Sequence, residues 1–373
     1  MTIDLNALAH NFGQVVAKVG PEQQIMAVVK ADAYGHGAVK VAGVLERLGC
    51  HFFGVSTPAE GVELRGAGIT RPILVLGGFS TYECAELVRH DLRPVVFDLG
   101  VARALDEEAR RAGRRLEFHL KLDTGMGRLG IPASGVAGFL EGLRGCTYLE
   151  MEGLLTHLAQ ADEEDKSASE EQLVAFEKVL PEINRLGYFP QLLHIANSAA
   201  ILDFSPTLKN LVRPGIMLYG VSPTAGMESK ADLQPVMSLS ARIMFIKEVA
   251  AGGTIGYGGT FVTSRTSIIA SVPVGYAHGY FRAFSNRAQA LVRGQRAPVV
   301  GRVCMDWTML DVTEIPGASL GDDVVLLGRQ GEQQVSSWEL ARWADTIPYE
   351  VVCSIGTRSP RIYISSHGLM EYN

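Results

Sequence analysis

A lysine stands at the end of an apolar, β-branched run: Ala27-Val28-Val29 leads directly into Lys30, then Ala31-Asp32-Ala33-Tyr34-Gly35-His36-Gly37. At the C-terminal edge of a buried strand an amine sits in low dielectric, which favours its neutral form and suits it to Schiff-base chemistry. Gly35 and Gly37 offer backbone that a ligand could approach closely. A second run, Phe118-His119-Leu120-Lys121-Leu122-Asp123, sets Lys121 on one face of a strand and is followed by Thr124-Gly125-Met126-Gly127-Arg128, a glycine-rich loop whose arginine suits an anion. Three further apolar runs end in Thr156-His157, in His194-Ile195-Ala196-Asn197-Ser198 and in Val212-Arg213-Pro214-Gly215-Ile216. Taken singly, a strand-end lysine is a rim residue reaching solvent and a strand-end histidine a satisfied structural group. Polar residues at five such ends together argue for a site.

The elements that must position them alternate. Strand-like runs are expected at Ile25–Val29, Phe52–Val55, Pro72–Leu76, Arg93–Phe97, Leu116–Leu122, Glu150–Thr156, Gln191–Ile195 and Leu211–Arg213. Helical periodicity lies between them, as at Val39–Leu48, Ala59–Arg65, Ala102–Arg111 and Glu170–Leu186, commonly closed by a glycine such as Gly49, Gly113 or Gly187. Eight strand–helix units predict an α/β fold, an N-terminal (β/α)8 TIM-like barrel, with a doubly wound open sheet as the competing topology. Barrels hold phosphate on backbone N–H groups after strands seven and eight, where Ser198, Gly215 and Ile216 fall. Phosphate there and an activated lysine on strand one suggest pyridoxal 5'-phosphate (PLP).

From about Leu233 short strand-like runs replace the helical pattern, at Ser238–Ile246, Ser267–Val272, Ala288–Val292, Pro298–Val303 and Asp323–Leu327, with one helix at Ser337–Ala344. The expected division is a barrel over residues 1–232 and a mostly β C-terminal domain over 233–373, joined through the Ser/Pro/Gly-rich stretch Ser222–Asp232. The 373 residues carry a net charge of −6 and no long basic run, which excludes a nucleic-acid binder. Five scattered cysteines without a C-x-x-C pair suggest neither a metal site nor a disulfide framework, so a reducing, cytoplasmic setting is expected. No run reaches the length of a membrane span.

The stretch Val28–Gly37 resembles the PLP-lysine signature of alanine racemases. The likeness extends through Lys121–Gly130, His194–Ala199, Arg213–Ile216 with Tyr219-Gly220, Gly256-Tyr257-Gly258, Pro273–Tyr276, Arg302–Asp306 and Pro348-Tyr349-Glu350. This resemblance implies that Lys30 carries PLP and serves as base on one face of the α-carbon, with Tyr257 serving the opposite face. It further implies that Arg213 faces the pyridine nitrogen, that His157 orients Arg213, and that Tyr34, Asn197, Ser198, Gly215, Ile216 and Tyr349 belong to the cofactor site. Arg128 and the Met305 backbone would hold the substrate carboxylate, with Tyr276 and Asp306 in support. Lys121 would be open to carbamylation, and two subunits would form a homodimer with shared sites, supplying D-alanine for peptidoglycan. No metal is expected.

Two positions depart from the family pattern: His278 stands where aspartate is usual, and Trp307 where a smaller polar residue is common. Both lie in segments expected to border substrate entry. The competing readings are a serine or broad-specificity racemase, a PLP-dependent decarboxylase, which would want an acidic partner for the ring nitrogen instead of Arg213, and a non-catalytic PLP-binding protein, which would have no second domain.

Overall fold

The computed structural model describes residues 1–355, 358–365 and 371–372. The first strand, β1 (Thr2–Asp4), is followed by β2 (Gln24–Val28), β3 (Phe52–Val55), β4 (Ile73–Val75), β5 (Leu92–Val96), β6 (Leu116–Asp123), a two-residue β7 (Ile131–Pro132), β8 (Leu149–Leu155), β9 (Leu192–His194) and β10 (Leu211–Val212). Strands β10-β2-β3-β4-β5-β6-β8-β9 pair in that order, every ladder parallel. Helices such as Ala38–Arg47, Pro58–Gly66, Leu99–Arg111 and Ser167–Arg185 cross between them. An open doubly wound sheet would leave β9 and β10 as distant edges. Here the Arg213 N–H donates to the Ala196 carbonyl (3.0 Å) beyond the ends of those strands, and the eight strands form the expected near-closed barrel.

The barrel interior divides into an apolar and a polar part. Met26, Phe52, Leu74, Val95, Leu155, Leu192 and Leu211, one from each of seven strands, pack into a single cluster. On β6 the burial is nearly continuous, as for a parallel strand covered on both faces, so Glu117, His119 and Lys121 share one face and Phe118, Leu120 and Leu122 the other. Space for the His119 ring comes from Gly153 on β8: a Cβ built there would lie 2.3 Å from His119 Nδ1. Gly153→Ala is therefore expected to cost about 1–3 kcal/mol of stability by overpacking. Thermal unfolding reads it, and an unchanged melting temperature would remove Gly153 from this role.

The second compact unit comprises Met1–Leu8, Tyr34–Gly37 and the chain from Gln234 onward. The expectation gave all of 1–232 to the barrel. Residues 2–4 fall in the second unit because β1 pairs with β11 (Met237–Arg242) and with a strand near the chain's end. The Ser238–Ile246 run, expected as one strand, is two: β11 lies in the large sheet, and β12 (Phe245–Val249) lies in a separate one. The break falls where the Ile243 N–H bonds to the Asp322 carbonyl and the next N–H, of Met244, turns to the Ser271 carbonyl.

Next come β13 (Thr254–Ile255), β14 (Phe261–Val262), β15 (Ser267–Val272), β16 (Gln289–Val292), β17 (Gln295–Pro298), β18 (Thr308–Asp311), β19 (Asp323–Gln330), β20 (Gln333–Val335) and β21 (Ile362–Ile364). The large sheet runs β17-β16-β19-β11-β1-β21, with β20 on β19, beside a three-stranded sheet β12-β15-β18 and the hairpin β13-β14. Ile255, Ile269 and Val300 form a core under Val249, Phe261 and Met309. The helix Ser337–Ala344 has the expected bounds, and its capping box pairs Ser336 with Glu339.

Candidate active site

Within the barrel unit, Lys30 directly follows β2 and Val29. The segment after it is not an ordinary loop: Ala31, Asp32, Ala33 and Tyr34 all have φ of 53–54°, one turn of left-handed helix. Such a conformation costs roughly 1–2 kcal/mol per L-residue, so surrounding groups must impose it. Glu60 does much of this. One carboxylate oxygen accepts the Ala31 N–H (2.7 Å), and the other accepts the N–H groups of Ser56 (2.6 Å) and Thr57 (3.1 Å). The Asp32 carboxylate accepts the Ala38 N–H (2.7 Å), and the Ala33 N–H returns to the Val29 carbonyl.

Lys30, Arg128 and Arg213 all stand close enough to Lys121 to act on it. Burial, then Arg213, Arg128 and Lys30 in turn, push the Lys121 amine down to about 8. Burial and the same cations push His157 down to about 3, which keeps its ring neutral at physiological pH. A concentration of positive charge in a partly desolvated barrel suits a ligand with phosphate and carboxylate groups.

Arg213 is 4% exposed and held on three sides. One terminal nitrogen donates to the carbonyls of Thr156 (2.8 Å) and Ile195 (2.9 Å), and the other donates to His194 Nδ1 (3.1 Å). His157 Nδ1 lies farther, at 3.4 Å, so His157 is the weakest of four contacts, and the two carbonyls with His194 do most of the orienting. Among the described residues no acceptor engages Nε–H, which leaves a fixed cationic donor for a ring nitrogen.

Ser198 Oγ accepts the N–H groups of Gly215 (2.9 Å) and Met217 (3.4 Å), bringing the loops after β9 and β10 together and leaving the hydroxyl proton to donate; Ile216 follows Gly215 in this buried turn. Asn197 caps the helix Ser198–Asp203 through Oδ1 to the Ala200 N–H (3.1 Å). Gln172, which no motif in the sequence singles out, is buried and fully engaged. It accepts the Ala159 N–H and donates to the His157 carbonyl and to Thr124, whose hydroxyl meets that of Thr156.

Within the second unit, Tyr34 and Tyr349 lie together with ring centroids 6.2 Å apart. Burial raises the Tyr34 phenol well above its usual range. Gly35 and Gly37 serve a purpose other than ligand approach: a Cβ at Gly35 would lie 2.4 Å from the Val352 carbonyl oxygen, and one at Gly37 would meet the Tyr363 hydroxyl. Tyr257 sits in a turn between Gly256 (φ 71°) and Gly258 (φ 72°), and the residue is 71% exposed. Met305, Tyr276 and Trp307 are also exposed large residues of this unit.

The Tyr276 and Ala277 N–H groups bond to the carbonyls of Cys304 and Met305, which ties Tyr276 to the Met305 loop, and Asp306 pairs with Arg358. His278 has a local explanation: its Nδ1 accepts the Gly275 N–H (3.3 Å), a turn-capping bond that an aspartate could also make. Nothing in the structure explains Trp307.

A near-closed (β/α)8 barrel with two lysines and two arginines at its strand ends, followed in the chain by a mostly β domain, defines a barrel enzyme that handles an anionic ligand. The alanine racemase N-terminal domain matches residues 3–223 and the alanine racemase C-terminal domain residues 236–363. The chain belongs to the alanine racemase family, whose members are PLP-dependent isomerases. It is 47% identical over 366 residues to an alanine racemase of Halothermothrix orenii, covering 98% of this chain and 97% of that one. Among solved structures, the Bacillus anthracis alanine racemase with bound L-Ala-P is 36% identical, with a TM-score of 0.94 over 100% of this chain and 96% of that one. The Bartonella henselae alanine racemase with covalently bound pyridoxal phosphate is 30% identical, with a TM-score of 0.88 over 97% and 98%.

Proposed function

We propose that this chain interconverts L-alanine and D-alanine with PLP, by proton transfer on both faces of the α-carbon. The observation that carries the reading is Arg213, buried and immobilised by two carbonyls and His194. PLP, when bound, withdraws electrons from the α-carbon of the attached amino acid. An arginine on its ring nitrogen cannot transfer a proton, so the withdrawal stays moderate and favours reprotonation over loss of carbon dioxide or amino transfer. An acidic residue there would favour the decarboxylase reading, and among the described residues no carboxylate pairs with Arg213.

Lys30 holds the cofactor and moves the proton on one face, and Tyr257 of the second subunit of a homodimer moves it on the other. Tyr34, Asn197, Ser198, Gly215, Ile216 and Tyr349 frame the phosphate end. Arg128 and the Met305 backbone of the second subunit bind the substrate carboxylate, supported by Tyr276 and Asp306. The five cysteines are free thiols, which suits a reducing cytoplasm, and no described helix is long and apolar enough to cross a membrane. D-Alanine for peptidoglycan is the product's use.

Purified holoenzyme given L-alanine in heavy water is expected to lose all optical rotation, with deuterium at the α-carbon and neither carbon dioxide nor pyruvate formed. Alanine that keeps its handedness and its α-proton would overturn the assignment.

Lys121 is the proposed site of carbamylation. With its amine pushed down to about 8, much of it is the nucleophilic neutral form near pH 8. A carbamate would place one negative charge among Lys30, Arg128 and Arg213. The protein equilibrated with 13C-bicarbonate is expected to show a carbamate carbon resonance that Lys121→Ala lacks; the same signal in both proteins would exclude Lys121.

A further inference from the structure

The hydrogen bond from Arg213 to His194 is the first step of a longer chain through the barrel interior. His194 Nε2 lies 2.8 Å from His119 Nδ1, and His119 Nε2 lies 3.1 Å from a Glu152 carboxylate oxygen. Arg93 Nε stands 3.4 Å from the same oxygen, and Arg93 itself pairs with Asp91 and Glu117. Both imidazoles are completely buried and their rings meet edge to face.

A guanidinium can only donate, and this fixes every proton in the chain. His194 Nδ1 must accept from Arg213, so the proton of a neutral His194 is on Nε2. That proton points at His119 Nδ1, which must accept in turn. His119 then carries its proton on Nε2 and donates it to Glu152. Either ring as imidazolium would set two N–H groups against each other. Burial lowers both histidines, at His119 against the raising effect of the Glu152 carboxylate, and Arg213 lowers both further, in agreement with two neutral rings.

The barrel departs from regularity to build this chain. The β6–β8 ladder pairs Phe118 with Met151 and then His119 with Gly153, so Glu152 is the extra residue of a β-bulge. A bulge re-aims the side chain it carries, and here Glu152 reaches His119. The next residue is Gly153, the one that makes room for the His119 ring. Among the described residues no carboxylate is within ion-pair distance of Arg213, so Glu152 is the anion that Arg213 meets through hydrogen bonds.

We propose that Glu152, acting through His119 and His194, is a positioning residue for Arg213: it orients both imidazoles as acceptors toward the guanidinium and so fixes the donor that Arg213 presents to the cofactor ring. The inference rests on the assignment of Arg213 to that ring. Glu152→Gln keeps a carbonyl oxygen for the His119 N–H and removes the charge. It is expected to lower kcat about 10-fold, with KM for alanine within about twofold, and to shift the absorption band of bound PLP, the scale on which partners behind a site's contact residues act. His119→Phe, which removes the acceptor for His194, is expected to lower kcat at least as far. The double variant should be no worse than His119→Phe alone, because both act on one chain.

Variants that melt earlier but keep wild-type kcat and the wild-type cofactor band would overturn the proposal, as would effects that multiply in the double variant. Neutron diffraction of deuterium-exchanged crystals reads the chain without reference to activity. Deuterium is expected on Nε2 of both His119 and His194, and deuterium on Nδ1 of either would overturn it. Failure of the wild-type holoenzyme to racemise alanine, with these deuterium positions found, would instead refute the functional assignment while leaving the proton order in place.

Discussion

Lys30→Ala is expected to lower kcat for alanine racemisation by at least about 10³-fold, because one side chain is assigned two tasks, nucleophilic attachment of the cofactor and general base catalysis. The fold should survive. Lys30 follows β2 without contributing to its ladder, and the left-handed turn beyond it is held by Glu60, Asp32 and the Val29 carbonyl. Cofactor should also remain, bound non-covalently at Arg213 and Ser198, so the variant separates attachment and proton transfer from binding. Borohydride reduction followed by peptide mass mapping should place the pyridoxyl group on Lys30 in the wild type and on no residue in the variant. Activity within tenfold of wild type would remove Lys30 from both roles.

The barrel was legible because its signal repeats. Eight apolar runs separated by glycine-closed helices admit few topologies, and each expected strand lies within about two residues of an observed one. The polar strand ends were legible for the same reason: Lys30, Lys121, His157, Ser198 and Arg213 each follow or belong to a buried run.

Features that depend on tertiary contacts were not legible. Ala-Asp-Ala-Tyr carries no mark of a left-handed turn, since its conformation is imposed by a carboxylate twenty-nine residues further along the chain. The bulge at Glu152 is equally silent, because Leu149–Leu155 reads as an unbroken strand until its register against β6 is known. His119, flanked by Phe118 and Leu120, carries no sign in the sequence of what it meets. Its partners connect it to Arg213, and no spacing in the sequence relates residues 93, 119, 152, 194 and 213. Gly35 and Gly37 show the converse error: the need for small residues was read correctly, and the group that approaches them is this protein's own Val352 and Tyr363.

Mixing two inactive variants is expected to restore activity. Tyr257→Phe removes the hydroxyl proposed to move the proton on one face of the α-carbon. Racemisation should fall about 10²–10⁴-fold, while deuterium exchange served by Lys30 continues for one enantiomer with its configuration retained. The exposed position of Tyr257 in its glycine-flanked turn is consistent with service to a second subunit. In a hybrid dimer of Lys30→Ala and Tyr257→Phe chains, one site then combines the intact Lys30 of one subunit with the intact Tyr257 of the other, and the second site has neither. Random reassociation makes half the dimers hybrid, and each has one working site of two, so the mixture should reach about a quarter of wild-type activity in a two-fold symmetric assembly. If each chain supplied its own Tyr257, every site in the mixture would lack one base and activity would stay at the level of the separate variants. The recovered fraction therefore measures the sharing of sites directly.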